Sequence, residues 1–382
     1  MRLLFLTDGL WPFQLGGMQR HSTLLIGELV HRLERLTVVY SGPRGARPPD
    51  VASLEESMPE ACHGRIEWVP VPSPSLGRLP GHYISEMRAY AVAIAGIVDS
   101  DYDACYAQGM TGLEMLGGPI PVMVNLHGLN MFFKPHSSKQ WLTQRFLRPI
   151  AREMFAADAM VSLGGDLTDV LVGAGYDRER IVTLANGLDP QEIPNEFPID
   201  RALGLKGGIS PRFVLLGRYE LSKGFDVLCA ALDLVDLSID LDLIGEWPEM
   251  NAHPHRIVHH GVVMSRSNLL GLLDAADVLI LSSLTEGMPT VILEAMARGL
   301  AVVATDVGAV GELVDEETGW LVPVADSAAL AGAIAAAAWS KPEVIHAMGR
   351  AAYHRVQEYT WPRIANQTMD ALEAMISRRE SP

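Results

Sequence analysis

Glu286 and Glu294 enclose seven residues, Gly287-Met288-Pro289-Thr290-Val291-Ile292-Leu293, and the chain continues through Ala295-Met296-Ala297-Arg298-Gly299. The run 277–281 before them reads as a buried strand, and the residues from Pro289 onward read as a helix. The first carboxylate then lies on a strand-to-helix loop, and the second about one turn into the helix. In an open α/β sheet, loops at the carboxyl ends of strands line the ligand crevice. A carboxylate there can accept hydrogen bonds from sugar hydroxyls, and another slightly deeper can hold a ribose.

Cations precede this pair. Leu215-Leu216-Gly217-Arg218 ends a strand, and Ser222-Lys223-Gly224 is read as opening the next helix. A helix start attracts anions through its free N–H groups and partial positive charge. Arg218 adds a planar fork for phosphate oxygens and Lys223 a compact point charge. Together they can neutralise a leaving diphosphate; taken singly, they read as ordinary solvated loop charges. Near the N-terminus, Gly16-Gly17 follows the first strand and allows backbone close to a ligand. It is not a GxGxxG fingerprint, so a nicotinamide cofactor has little support. His127-Gly128 ends the strand 122–126, where a histidine can donate to a sugar hydroxyl or transfer a proton; Asn130 is a further candidate.

The elements that must position these residues alternate along the whole chain, which is the pattern of parallel sheets covered by helices. Strands are expected near 2–7, 36–40, 66–71, 103–107, 120–126, 159–163 and 181–184 in the first half. In the second they are expected near 212–217, 240–244, 256–260, 278–281 and 301–304. Pro190 to Pro211 is rich in proline, glycine and charge and reads as the linker between two domains.

These motifs resemble family 4 of the retaining glycosyltransferases. The glutamate-seven-glutamate run, the Gly217-Arg218 and Lys223-Gly224 pair, Gly16-Gly17, His127-Gly128 and Asn186-Gly187-Leu188-Asp189 carry the likeness. Two further elements add to it: Tyr359-Thr360-Trp361 looks like the start of a closing helix, and Thr318-Gly319-Trp320-Leu321-Val322 looks like a recurring turn. The resemblance implies an α/β fold of two facing Rossmann-like domains with parallel sheets (the GT-B type) and a deep cleft between them. Residues 1–189 would bind the acceptor, 190–360 the nucleotide sugar, and 361–382 would cross back to brace the first domain. His127, Arg218, Lys223 and Glu286 would be catalytic. Gly16, Gly17, Gly217, Arg218, Lys223, Gly287, Met288, Pro289, Thr290 and Glu294 would hold the donor. Glu286 would face the transferred sugar and Glu294 the ribose, with no cofactor or metal ion required. A UDP- or GDP-sugar is the implied donor, and a glycan, a lipid-linked or a small-molecule acceptor the implied partner. A nucleotide-sugar epimerase of the same architecture and a non-catalytic nucleotide-sugar-binding subunit are the alternatives.

Composition limits the field. With 382 residues, 48% hydrophobic and 20% charged, the chain can build two cores and is not a disordered one. A net charge of −16 argues against nucleic-acid partners, which need a positive face. Cys62, Cys105 and Cys229 have no redox or zinc spacing and read as reduced thiols of a cytoplasmic protein. The N-terminal apolar run is too short for a signal peptide, and the longest apolar run, Ala328 to Trp339, cannot cross a bilayer. Asp240-Leu241-Asp242 has the spacing of a metal-binding aspartate pair but sits within a strand pattern and reads as structural. His253, His255, His259 and His260 lack the partners of a closed zinc site. Neither a Gly-x-Ser-x-Gly elbow nor a Walker loop occurs. Phe132, Phe133, Lys134, Lys139, Trp141, Arg145, Phe146, Arg148 and Arg152 form a basic, aromatic island. It fits anionic lipid heads at the inner face of a membrane or a phosphorylated acceptor; an ordinary surface helix is the alternative.

Overall fold

The computed structural model describes residues 1–43, 45–73, 82–96, 101–129, 131–133, 138–198, 211–250 and 254–380. Asn130, Lys134, His253 and linker residues 199–210 lie outside these, as does the Lys139 side chain. The chain forms two compact units. The first comprises Met1–Leu163, Leu167–Asn186 and Trp361–Pro382, and the second Gly164–Asp166 and Gly187–Thr360.

In the first unit, β1 (Arg2–Leu6), β2 (Arg35–Tyr40), β3 (Ile66–Pro70), β4 (Ala104–Gln108), β5 (Val122–Asn125), β6 (Ala159–Ser162) and β7 (Ile181–Thr183) form one parallel sheet. Its order is β3-β2-β1-β4-β5-β6-β7. Leu3, Leu4, Phe5 and Leu6 are all fully buried, which is why β1 is an unbroken apolar run rather than an alternating one. Each such side chain contributes about 1.5–3 kcal/mol by leaving water. The helix Gly17–Leu29 buries Leu25, Ile26 and Leu29, and the C-terminal helix Trp361–Glu380 packs into the same core through Ile364, Leu372 and Met375. That shared core explains why the last residues of the chain belong to its first unit.

In the second unit, β8 (Arg212–Leu216), β9 (Asp240–Ile244), β10 (Arg256–Gly261), β11 (Val278–Leu281), β12 (Ala301–Thr305) and β13 (Gly319–Val322) pair in parallel in the order β10-β9-β8-β11-β12-β13. Strand order therefore reverses between β1 and β4 in one sheet and between β8 and β11 in the other. At such switch points the loops leaving neighbouring strands diverge and open a crevice beyond their carboxyl ends.

Some local readings are corrected. The segment 318–322, read as a turn, contains edge strand β13: Gly319 pairs with Val302 so closely that a Cβ would stand 1.8 Å from the Val302 carbonyl oxygen. Lys223 lies in a 3-10 turn, Leu221–Lys223, and the α-helix starts only at Phe225. The short helix Val51–Ser57 escaped notice because it buries only Leu54; Asp50 caps it by accepting from the Ser53 N–H. The linker begins as ordered chain, with a 3-10 turn at Pro190–Glu192 and Phe197 edge-on to Tyr353 and His346.

Candidate functional site

Gly224 shapes the second unit's switch point. Its φ of 61° is left-handed, and a Cβ there would lie 2.1 Å from the Ser282 carbonyl oxygen. Only glycine lets the 221–224 turn lie against the chain leaving β11. Hydrogen bonds complete the seam: the Ser282 hydroxyl donates to the Lys223 carbonyl at 3.0 Å, and the Leu284 N–H to that of Ser222 at 2.7 Å. Lys223 is thereby aimed at Glu286. Its Nζ lies 2.7 Å from Glu286 Oε1, which also accepts the Ser283 hydroxyl at 2.6 Å. Both charged side chains are largely buried, at 27% and 10% exposure, so the pair is poorly screened and holds a fixed geometry. Gly308, with φ 62°, backs the carboxylate loop at a distance where a Cβ would collide with the Glu286 and Gly287 carbonyls.

Glu294 sits in the helix Thr290–Ala297 and is buried. Arg266, at the start of the helix Arg266–Ala275, reaches it at 3.3 Å while clasping Glu192 with two nitrogens at 3.0 and 2.7 Å. Met288 is buried, and Pro289 precedes the first turn that Thr290 opens. Gly217 ends β8 and donates to the Ile244 carbonyl. Arg218 does not join the Lys223–Glu286 network: its side chain is 75% exposed and pairs with Glu220 at 3.3 Å.

The first unit's switch point is built from rings and amides, with the Asp8 carboxyl beside them. Gly17 has open space where a Cβ would stand, and at Gly16 a Cβ would meet the Gln19 side chain, which is held by Asp8 at 3.0 Å. Burial raises the Asp8 carboxyl above its ordinary range. His127 follows β5 with a left-handed φ of 58°, a conformation that costs a non-glycine residue about 1–2 kcal/mol. Its N–H donates to Asn125 Oδ1 at 2.9 Å, and its Nε2 meets Gln108 Oε1 at the end of β4. His21, from the helix Gly17–Leu29, stands edge-on to His127 with ring centres 4.6 Å apart, and Trp361 lies edge-on to His21 at 4.9 Å. Asn186 Oδ1 holds His21 Nδ1 at 2.9 Å. Burial lowers the His21 imidazole to about 4, against the opposing effect of Asn186. Burial, and then His21, push His127 well below the ordinary imidazole range.

Two family models match, one described as Glycosyltransferase Family 4 over residues 15–192 and one as Glycosyl transferases group 1 over residues 210–338. A D-inositol 3-phosphate glycosyltransferase of Arthrobacter sp. is 30% identical over 95% of this chain and 91% of its own length. The chain belongs to glycosyltransferase family 4. Other curated relatives at the head of the comparison are matched over only 54–62% of their own length. Among solved structures, sucrose-phosphate synthase from Thermosynechococcus elongatus superposes with a TM-score of 0.74 at 18% identity, over 99% of both chains. Anabaena Alr3699/HepE in complex with UDP-glucose gives 0.66 at 20% identity, over 98% of this chain and all of that one. These likenesses establish an α/β fold of two parallel-sheet domains, the GT-B type.

Within this family member, sequence reasoning passed over Ser283, Arg266, Glu192, Gln108 and His21. Each acts through a partner remote in the chain, apart from Ser283, whose signal was its place three residues before Glu286. Gln108 also carried a signal, as an amide at the carboxyl end of an apolar strand. Asp242 is structural, gripped by Arg212 and by His260 at 2.8 Å, and these bonds hold its carboxyl below the usual range despite burial. His255 Nε2 donates to the Leu232 carbonyl at 2.9 Å. Arg148 leaves the basic island's outer face: it donates to the Met131 and Phe133 carbonyls.

Proposed function

We propose that the chain is a retaining glycosyltransferase that moves a hexosyl group from a UDP- or GDP-sugar to an acceptor hydroxyl. The observation that carries this reading is the largely buried Lys223–Glu286–Ser283 cluster at the carboxyl ends of β8 and β11. A cation fixed beside a carboxylate suits a donor that is diphosphate at one end and polyol at the other. Lys223, with Arg218 swinging in from solvent, stabilises the charge that develops on the departing diphosphate, so no metal ion is required. Glu286, with one oxygen held by Lys223 and Ser283, offers the other to sugar hydroxyls. Glu294 takes the ribose. The presence of UDP-glucose in the HepE complex supports a uridine donor. Calorimetric titration with UDP-, GDP-, ADP- and dTDP-sugars in EDTA tests the reading. One nucleotide is expected to bind, with affinity lost in Lys223→Ala; binding of none removes it.

The acceptor in this reading is lipid-linked, and the protein is peripheral at the cytoplasmic face. Among the described residues no helix is long and apolar enough to cross a membrane. The helix Ser138–Glu153 instead exposes Trp141, Leu142 and Phe146 by half or more, with Arg145 over the Trp141 ring at 6.0 Å. An apolar face edged by arginine matches an anionic bilayer surface locally, against the repulsion of the protein's net charge of −16. Sedimentation with phosphatidylglycerol vesicles, lost on Trp141→Glu and absent with phosphatidylcholine, is the expected result; no sedimentation of the wild type overturns it.

A further inference from the structure

Gln108 and His127 are brought together by sheet register. Gln108 ends β4 opposite Asn125 of β5, and His127 follows two residues later with its backbone N–H tied to the Asn125 side chain. Gln108 is fully buried, and its Oε1 meets His127 Nε2. In the amide orientation that points Oε1 at the ring and leaves the buried Gln108 Nε2 without a hydrogen-bond partner among the described residues, the oxygen can only accept, so the proton of that bond sits on Nε2 of the imidazole. His127 Nδ1 is then a lone pair. The same logic holds one ring away, where His21 Nδ1 faces Asn186 Oδ1 at 2.9 Å and its buried Nε2 has no hydrogen-bond partner among the described residues. His21 is held on one flank by the Trp361 ring and presents its other flank to His127.

We infer that Gln108 and His21 are positioning residues that hold His127 in one orientation, with its proton on Nε2 and Nδ1 presented as the hydrogen-bond acceptor for a ligand hydroxyl. Gln108 fixes the tautomer, while His21 supplies the wall that keeps the ring from turning. The left-handed backbone at His127 is kept by the same surroundings. A hydroxyl donates to such a nitrogen, whereas a phosphate or carbonyl oxygen meets no donor there. The ligand class is therefore polyol, not anion. Among the described residues, the titratable group facing His127 is His21, from the helix Gly17–Leu29; Gln108 of β4 and Asn125 of β5 are uncharged. Burial keeps both rings neutral near pH 7, which preserves the lone pair.

The tautomer requires no assumption about catalysis; its use by a sugar hydroxyl rests on the transferase reading. The test is the long-range ¹H–¹⁵N imidazole spectrum of the full chain labelled at histidine nitrogen, with His127 identified by the signal lost in His127→Phe. A neutral ring protonated on Nε2 is expected at about pH 7 and at about pH 5.5, with mixed tautomers in Gln108→Leu. A ring protonated on Nδ1, or on both nitrogens, in the wild type overturns the inference. Gln108→Glu places a carboxylate against Nε2 and is expected to favour the imidazolium. Its kcat profile should shift toward alkaline pH by more than about one unit, with kcat near neutrality reduced about tenfold. A variant that folds as the wild type and keeps the wild-type pH profile overturns the positioning role of Gln108. Absence of any transferase activity in the wild type would remove the transferase reading and leave the spectrum to decide the tautomer.

Discussion

At the carboxyl ends of β8 and β11 the chain gathers formal charges, whereas at the ends of β1, β4 and β5 it gathers mainly rings and amides, with the Asp8 carboxyl beside them. In both, a polar side chain is held through one of its atoms by partners that are themselves partly or fully buried. Glu286 is held at Oε1 by Lys223 and Ser283. His127 is held at Nε2 by Gln108. The difference lies in what each can meet. Buried charges preserve their strength for a ligand whose own charge changes, but each must keep a partner, because an uncompensated buried ion is costly. Neutral groups discriminate hydroxyl from anion with little desolvation penalty, but they lose that ability once protonated. The two units thus differ in the chemistry they offer, formal charge in the second and rings and amides in the first.

Breaking the charged region should produce the largest effect. Lys223→Ala removes the cation proposed to face the diphosphate and also strips Glu286 of its ion partner. kcat is expected to fall by about 10²–10³, the range seen when one preorganised electrostatic group is removed. Glu286→Gln should cost a similar factor, and the double variant much less than the product of the two, because the residues act as a unit. Steady-state kinetics of the four proteins check this. Multiplicative losses would mean that Lys223 and Glu286 act independently and that the 2.7 Å contact is incidental to catalysis.

The neutral region should reveal itself through acid. His21 holds its proton only below about pH 4 in the folded chain, against an ordinary value of 6.5. Between those values the unfolded chain binds more protons, so stability rises with pH and is lost as pH falls from about 6.5 towards 4. A difference of 6.5 − 4, or about 2.5 units, corresponds to about 3 kcal/mol across that window. His127 acts in the same direction. His21→Phe keeps an edge-on ring without the titration, so its unfolding free energy should decline less between pH 7 and pH 4 than that of the wild type. Chemical denaturation at several pH values reads the difference. Parallel curves would show that His21 charges in the folded state, and the contrast between a charged and a neutral region would then fail below neutrality.

How far the sequence exposed each region follows from the same chemistry. The charged side announced itself, since Glu286, Glu294, Lys223 and Gly224 lie within runs whose local spacing is constrained by a strand, a loop and a helix. What spacing could not reveal was the direction of Arg218, whose exposed guanidinium answers to a neighbour two residues away rather than to the sheet. The neutral side was harder to read. His127 was found as a histidine at a strand end, but Gln108, His21, Asn186 and Trp361 come from four other parts of the chain, and only parallel register and the returning helix bring them together. Both sheets were legible as alternating elements, because apolar runs buried on two faces leave an unmistakable trace. Edge strand β13 was read as a turn because its apolar run is short and set between Gly319 and Pro323, both turn-forming residues.

Arg266 offers the smallest and most discriminating test. Its fork is shared between Glu192, which it clasps with two nitrogens, and Glu294, 3.3 Å away. If Glu294 reads the ribose, Arg266 fixes the direction of that carboxylate without touching the nucleotide. Arg266→Ala is then expected to raise the Kd of the preferred nucleotide about tenfold, a loss of about 1.4 kcal/mol. The 2′-deoxynucleotide should lose less, because it has surrendered part of the contact that Arg266 supports. Arg266→Lys keeps the charge but cannot span both carboxylates, and should fall between the two. Calorimetry on the ribo and deoxy ligands separates the cases. An equal loss for both sugars would place Arg266 in the general stability of the second unit. A loss confined to the ribonucleotide would extend the charged region by one residue and show that its carboxylates are set by arginine as well as by lysine.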